Sequence, residues 1–334
     1  MSENIASNEL EGKMMRTFFI TVIAVAGLLL GTGVSGPVRG QTQNSHPAHP
    51  GDVNYVEGQA SIGNEALSPD SVGSVELDKG QSLTTQAGKV EILLTPGVFL
   101  RLADNSTVKM ISPDLANTEV ELDKGRAMVE ALDIRKENNI RIDQNDVSTQ
   151  LLKNGLYDFD ADHAQIRVFK GTAQVYAKGQ NIKLTGEREI ALNTAGKLKA
   201  QGFDTRQYED DFFRWSALRS GYLSEATVDE ARVYVGPGPS WYGPGWYGAG
   251  WYWDPWFGVW TFIPADGIFY SPFGWGFYSP IVVYRSPFFF YGWGHAPHHF
   301  GDFHGPYGHG FEPQGGFHGG GFRGSAGVHG GGHR

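Results

Sequence analysis

The sequence contains no cysteine. Disulfides, thiolate metal sites and a lipid-modified cysteine are therefore excluded, while export is allowed without being required. An excess of positive charge is also missing: 27 Lys and Arg stand against 36 Asp and Glu, a net charge of −9. Sequence-independent binding to nucleic acid needs a basic surface to displace phosphate counterions, so nucleic acid is set aside as a partner. Charge of either sign becomes scarce past residue 236, where Gly, aromatics, Pro and His take over. Of the 334 residues, those before that point can bury an ordinary core, which makes one medium domain with appendages.

Catalytic signatures are absent as well. The sequence has no Gly-x-Ser-x-Gly elbow, no Gly-x-x-x-x-Gly-Lys-Ser/Thr phosphate loop and no His-Glu-x-x-His helix. Asp158, Asp160 and Asp162 alternate like the opening of a Ca²⁺ loop, but His163 stands where the sharp turn wants Gly and Phe169 where a bidentate Glu is needed. A hairpin turn at Asp160 to His163 is the expectation instead. Glu91, Asp104 and Glu130 offer cross-strand carboxylates of a kind any β domain has. The expectation is a protein without enzymatic activity, cofactor or metal site.

At the N-terminus, a polar leader with Lys13 and Arg16 runs into an apolar stretch, Phe18 to Leu30, followed by small residues. That order reads as a secretory signal occupying residues 1–40, with Val38 and Gly40 placed for cleavage before Gln41. The rival reading keeps Thr17 to Val38 as a membrane anchor, since its length approaches the ~20 residues that cross a bilayer. Residues 41–52 are polar and proline-containing and read as a linker.

From Val53 the hydrophobic period becomes two. Val90, Ile92 and Leu94, then Val98, Leu100 and Leu102, then Ile140 and Ile142, then Ile166 and Val168 alternate with other residues, and Gly, Asn and Asp turn signals separate the runs. About a dozen strands spaced by roughly 8 to 12 residues favour an antiparallel sandwich or solenoid, because no helical crossover fits between them. The hexapeptide Val-Glu-Leu-Asp-Lys-Gly occurs at 75–80 and again at 120–125, which suggests one β unit used twice.

The order Leu-Thr-Pro-Gly-x-x-Leu-Arg-Leu-Ala-Asp-Asn-Ser at 94–106, Val120 to Val129, Asn154-Gly155-Leu156-Tyr157 and Ile166 to Val175 resembles a FecR domain over about 75 to 195. The resemblance implies an extracytoplasmic β domain that contacts another protein, in the periplasm or cell envelope of a bacterium. FecR-type sensors also carry a cytoplasmic anti-sigma region, whereas about 16 residues precede the apolar run here. A FecR-type transmembrane regulator is therefore the second reading.

The β domain is assigned to 53–202 and a helical segment to 203–235. Tyr208, Phe212, Trp215, Leu218 and Tyr222 fall on one helical stripe, with Asp204 or Thr205 at its start, and a second short helix is expected from Thr227 in a capping box with Glu230. Residues 236–334 read as a largely irregular tail. Within it Trp241, Tyr242, Trp246, Tyr247, Trp251 and Tyr252 repeat as a Trp-Tyr pair every five residues, and eight of the nine tryptophans lie beyond 236. Trp and Tyr join an apolar body to a polar edge and prefer interfaces, so these six are the expected partner contacts. The expected partners, in order, are an envelope protein or membrane surface together with self-association, then polysaccharide; wrapping of the aromatics around the β domain comes last. Eight of the eleven histidines lie beyond residue 292 without a repeated ligand spacing, so no metal site is assigned to them.

Overall fold

The structure is a computed structural model that describes residues 47–193, 197–235, 242–243 and 245–285. The expected signal or anchor at 1–40, Trp241 and the His-rich stretch beyond 292 lie outside the described residues.

The fold is mainly β. Its strands are β1 (Val53–Ile62), β2 (Glu65–Leu67), β3 (Ser82–Thr95), β4 (Val98–Leu102), β5 (Thr107–Asp114), β6 (Asn117–Lys124), β7 (Arg126–Ala131), β8 (Asn139–Gln144), β9 (Val147–Leu151), β10 (Gly155–Asp160), β11 (Gln165–Lys170), β12 (Thr172–Ala177), β13 (Gln180–Thr185), β14 (Arg188–Ala191) and β15 (Gln201–Gly202). They pair in the order β13-β12-β9-β8-β6-β5-β3-β4-β7-β10-β11-β14-β15, with β1 and β2 added through β3. The long β3 belongs to both halves of this sheet: Ser82 to Thr84 pair with β5, and Val90 to Thr95 pair with β4. The two halves face each other across one core. Val120, Ile142, Val175 and Leu184 come from one half, and Ile92, Leu100, Val129, Phe159 and Ile166 from the other.

Pairing departs from the antiparallel expectation at one place among the described residues, where β6 and β8 run parallel. Between them the chain crosses to the other half as β7, which pairs with β4 and β10, and on returning it arrives in the same direction. The repeated hexapeptide is not a repeated strand. Its second copy ends β6, whereas in the first copy only Glu76 forms a bridge, to Asp52. The copies share a smaller role: Leu77 and Leu122 are both buried, and Gly80 (φ 83°) and Gly125 (φ 77°) make the left-handed turns that lead into β3 and β7. The segment read as linker also ends inside the fold, since Gly51 N donates to Leu93 O at 2.7 Å and Asp52 is buried.

After β15 comes one continuous helix, α1 (Asp211–Val233, 23 residues). Asp210 caps it by accepting from Phe213 N at 3.0 Å, while Asp204 caps a short 3₁₀ turn at Thr205–Tyr208. The expected break before Thr227 does not occur. Its hydroxyl bonds back to Leu223 O at 2.8 Å, as a mid-helix Thr can, so it does not form a capping box.

Part of the stretch read as irregular is ordered on this helix. Strands β16 (Gly250–Asp254) and β17 (Val259–Ile263) form one hairpin, β18 (Ile268–Tyr270) and β19 (Gly276–Tyr278) another, and a short helix α2 (Pro280–Arg285) follows. Gly and Pro sit at the turns of these hairpins, which leaves uninterrupted Trp-Tyr-Trp and Val-Trp-Thr-Phe-Ile runs free to pair. Phe262 and Phe277 are fully buried, packed with Leu93, Phe99, Leu223 and Ala226.

Candidate interaction site

The outer face of the β3-β4-β7-β10-β11-β14 half carries a row of charges. Register places Glu91 opposite Arg101, Arg101 opposite Met128, Met128 opposite Asp158, Asp158 opposite Arg167 and Arg167 opposite Glu189. Side chains two apart on a strand share a face, so Glu130 joins the same row beside Met128. An exposed row of this kind would be unremarkable, but this one is covered by α1 and the two hairpins. Glu91, Arg101 and Glu130 have no exposed surface.

Burial of these ions is tolerated because each charge meets its opposite. Arg101 Nε lies 2.8 Å from Glu91 Oε2, and Arg101 Nη2 lies 2.7 Å from Glu130 Oε2. From α1, Arg219 Nη2 reaches Glu91 Oε1 at 3.1 Å, and its guanidinium sits 3.9 Å from the centre of the Tyr55 ring. Ser220 donates to Glu130 Oε1 at 2.6 Å, and Ser271, from the turn between β18 and β19, contacts the same oxygen. Asn54 binds both sides of the joint: its Nδ2 donates to Glu91 Oε1 at 3.0 Å, and its Oδ1 accepts from Trp260 N at 2.8 Å. Burial opposes the charged form of Glu91, but Arg219 and Arg101 outweigh it and hold the carboxyl below its ordinary value.

A second ionic cluster fastens the start of α1. Arg126 Nε pairs with Asp158 at 2.7 Å and also contacts the capping Asp210, while Arg167 joins Asp158 at 3.0 Å and Glu189 at 3.2 Å. The three alternating aspartates thus serve separate ends. Asp158 binds arginines, Asp160 holds His163 across the expected hairpin turn, and Asp162 accepts from Gly125 N at 3.0 Å. Among the described residues, no group of three or more His, Asp or Glu is placed to hold a metal ion.

The aromatic residues expected as partner contacts divide. Trp251 and Tyr252 are buried in β16, Trp251 in one cluster with Leu223 and Ala226 of α1 and Tyr252 in another with Ala231 of α1 and Val283 of α2. Around Tyr252 the rings stack: Trp246 lies 5.3 Å from it at 14°, Tyr247 lies 4.4 Å away at 12°, and Tyr242 stacks on Trp246 at 5.1 Å and 6°. This ladder is what the five-residue spacing builds, because the intervening glycines turn the chain back so that successive rings meet face to face. Its outer rungs face solvent, with Tyr247 66% exposed and Tyr242 37% exposed. The Tyr247 ring is exposed but its hydroxyl turns back to donate to Trp251 O, and there burial, with Glu230 nearby, pushes it up to about 12.

One exposed residue was not singled out by the repeat. Trp256, at the tip of the β16–β17 hairpin, is 84% exposed. Its position is fixed: Asp254 Oδ1 accepts from Trp256 N at 2.7 Å and from Phe257 N at 3.0 Å, and Asp254 O accepts from Gly258 N at 2.8 Å. The Asp-Pro-Trp-Phe-Gly run is the sequence signal for such a turn.

Residues 81–174 match the family described as FecR protein, inside the span where the resemblance was seen. The β domain is FecR-like. Two crystal structures of a protein from Parabacteroides distasonis ATCC 8503 described as a putative anti-sigma factor, at 1.65 and 2.50 Å resolution, are similar to part of the chain, with 13% and 14% identity and TM-scores of 0.34 and 0.33. The matches cover 38% and 37% of this chain, which spans 62% and 60% of those proteins' length. No curated protein matches the sequence. Among the described residues no helix is long and apolar enough to cross a membrane.

Proposed function

We propose that this is an exported, non-enzymatic protein of the bacterial cell envelope, in which the FecR-like β domain is a rigid platform and the aromatic C-terminal segment makes the contact with an envelope surface. The observation that carries the reading is the division of the aromatics. Trp251, Tyr252, Phe262 and Phe277 anchor the segment to α1 and the sheet, while Tyr247 and Trp256 are left facing outward. An ordered segment that turns large aromatics to water is built for an interface. The buried carboxylates support a non-enzymatic reading, since Glu91, Glu130, Asp158 and Glu189 are all engaged by arginines.

The test is fractionation of cells carrying the full chain with a tag inside residues 41–51, beside a variant with Tyr242 and Tyr247 both replaced by Ser. The reading expects the full chain to sediment with the envelope and the variant to be released more readily by osmotic shock. Full release of the unaltered chain, or its retention in the cytoplasm, overturns it. A second reading, contact with surface polysaccharide, is favoured by the exposed outer ring of the Tyr242-Trp246-Tyr252-Tyr247 ladder, which offers a sugar an aromatic face. Retention on insoluble glycan that the same double variant loses would select it.

A further inference from the structure

The outward surface of the hairpin segment has an unusual chemistry. Between 242 and 285 the charged residues are Asp254, Asp266 and Arg285, and Asp254 is buried beneath its own turn. What faces water there includes Trp256, Tyr247, Tyr270 and Tyr284, the last two at 56% and 46% exposure. Each of these side chains is amphipathic, with an apolar ring and one polar edge.

Trp256 differs from the rest in how it is held. Pro255 fixes one backbone angle of the turn, Gly258 closes it at φ 62°, and the Asp254 carboxylate binds the two amides beside the indole. The indole therefore projects from a rigid convex tip. A sugar site needs hydrogen-bonding groups beside the ring, and here the Asp254 carboxylate is buried under the turn, out of a ligand's reach. An electrostatic protein partner, or an anionic membrane, would call for a cluster of charge that this face does not carry. An indole at the tip of a segment this poor in charge matches the interfacial layer of a bilayer, where Trp sits at the level of the head groups.

We propose that the β16–β17 tip inserts Trp256 into the head-group layer of a zwitterionic lipid surface. This deepens the envelope-contact reading by naming the surface and the residue, and it rests on that reading.

The test uses the full chain labelled with 5-fluorotryptophan and mixed with phosphatidylcholine vesicles, with the Trp256 signal assigned by its loss in Trp256→Phe. That substitution leaves the core untouched because the ring is exposed. Doxyl-labelled lipid in the same vesicles should broaden the Trp256 fluorine signal beyond detection while the buried Trp251 and Trp260 signals persist. Persistence of the Trp256 signal overturns the proposal, even for a chain that fractionates with the envelope. Equal loss of all tryptophan signals overturns it too, because it reports non-specific immersion. A shift of Trp256 with a soluble glycan oligosaccharide, without broadening by doxyl lipid, replaces the lipid with a sugar. Fractionation and the fluorine signal are separate readouts, so release of the chain by osmotic shock would count against the envelope reading and would leave the lipid contact of the tip to be judged on its own signal.

Discussion

Arg219 on α1 and Glu91 on β3 are 128 residues apart in sequence and meet at 3.1 Å in the interior. This pair joins the helical segment to the β domain. Arg219→Met removes one of the two cations that serve Glu91 and leaves its carboxylate with Arg101 and Asn54. Breaking a buried pair from one side costs about 3 kcal/mol. We expect a loss of that order in urea unfolding, together with faster hydrogen exchange in α1 than in β10 and β11. A loss below about 1 kcal/mol would mean that the pair is screened as surface pairs are.

Arg101 binds Glu91 and Glu130 at once, and a lysine cannot reproduce that two-way reach. Arg101→Lys is expected to destabilise by at least about 2 kcal/mol, and Arg101→Met by about 3 to 5 kcal/mol, because Glu130 loses its arginine without gaining water and Glu91 is left with Arg219 alone as its cation. Adding Glu91→Gln to Arg101→Met should recover part of the loss, and a double-mutant cycle measures how much.

Thr227 and Thr261 share a hydroxyl contact of 2.6 Å between α1 and β17, and the Thr227 oxygen also lies 3.0 Å from Phe262 O. Thr227→Val keeps the shape and removes the bond. It should cost about 1 to 2 kcal/mol, with the increase in exchange confined to β16 and β17.

Two carboxylates set opposite pH limits. Glu91 is held below its ordinary value, so its stabilising charge is present above the unfolded carboxylate range and is lost as pH falls through the lower folded value. Glu230, 7% exposed near the end of α1, is pushed up to about 7 by burial and by nearby Asp254 and Asp229. The folded state therefore holds its proton more tightly than the unfolded chain, and stability falls as pH rises from 4.5 towards about 7. Glu230→Gln should leave stability unchanged near pH 4 and raise it by about 3 kcal/mol at pH 8, read from urea midpoints at the two values.

The strands were legible because alternation survives in β4, β7 and β11, and the hairpin at Asp160 was legible from its turn residues. Burial of both sheet faces was not. Arg101 and Glu91 occupy the positions that alternation assigns to water, and only the arrival of α1 buries them. The helix lies within the expected 203–235 segment, but its inward face was not legible, for the same reason. The aromatic stripe points partly outward, with Leu218 49% exposed, whereas Ser216, Arg219, Ser220 and Thr227 face inward. A helix that docks on a charged row does so with small and charged side chains, and a search for apolar periodicity passes over them. The aromatic segment shows a further limit: its Gly and Pro content argued against regular structure, yet these residues concentrate at turns and leave two five-residue strands intact.

The central claim is that the aromatic segment is held by the β domain and presents its outward residues from a fixed frame. Hydrogen exchange of the full chain tests it most directly. The account predicts that the amides of Tyr252 and Thr261, which face each other in the hairpin, and of Trp260, which donates to Asn54 Oδ1, are protected as strongly as those of α1, and that Arg219→Met releases both together. Exchange of those three amides at the rate of an unfolded peptide, with α1 still protected, would contradict it.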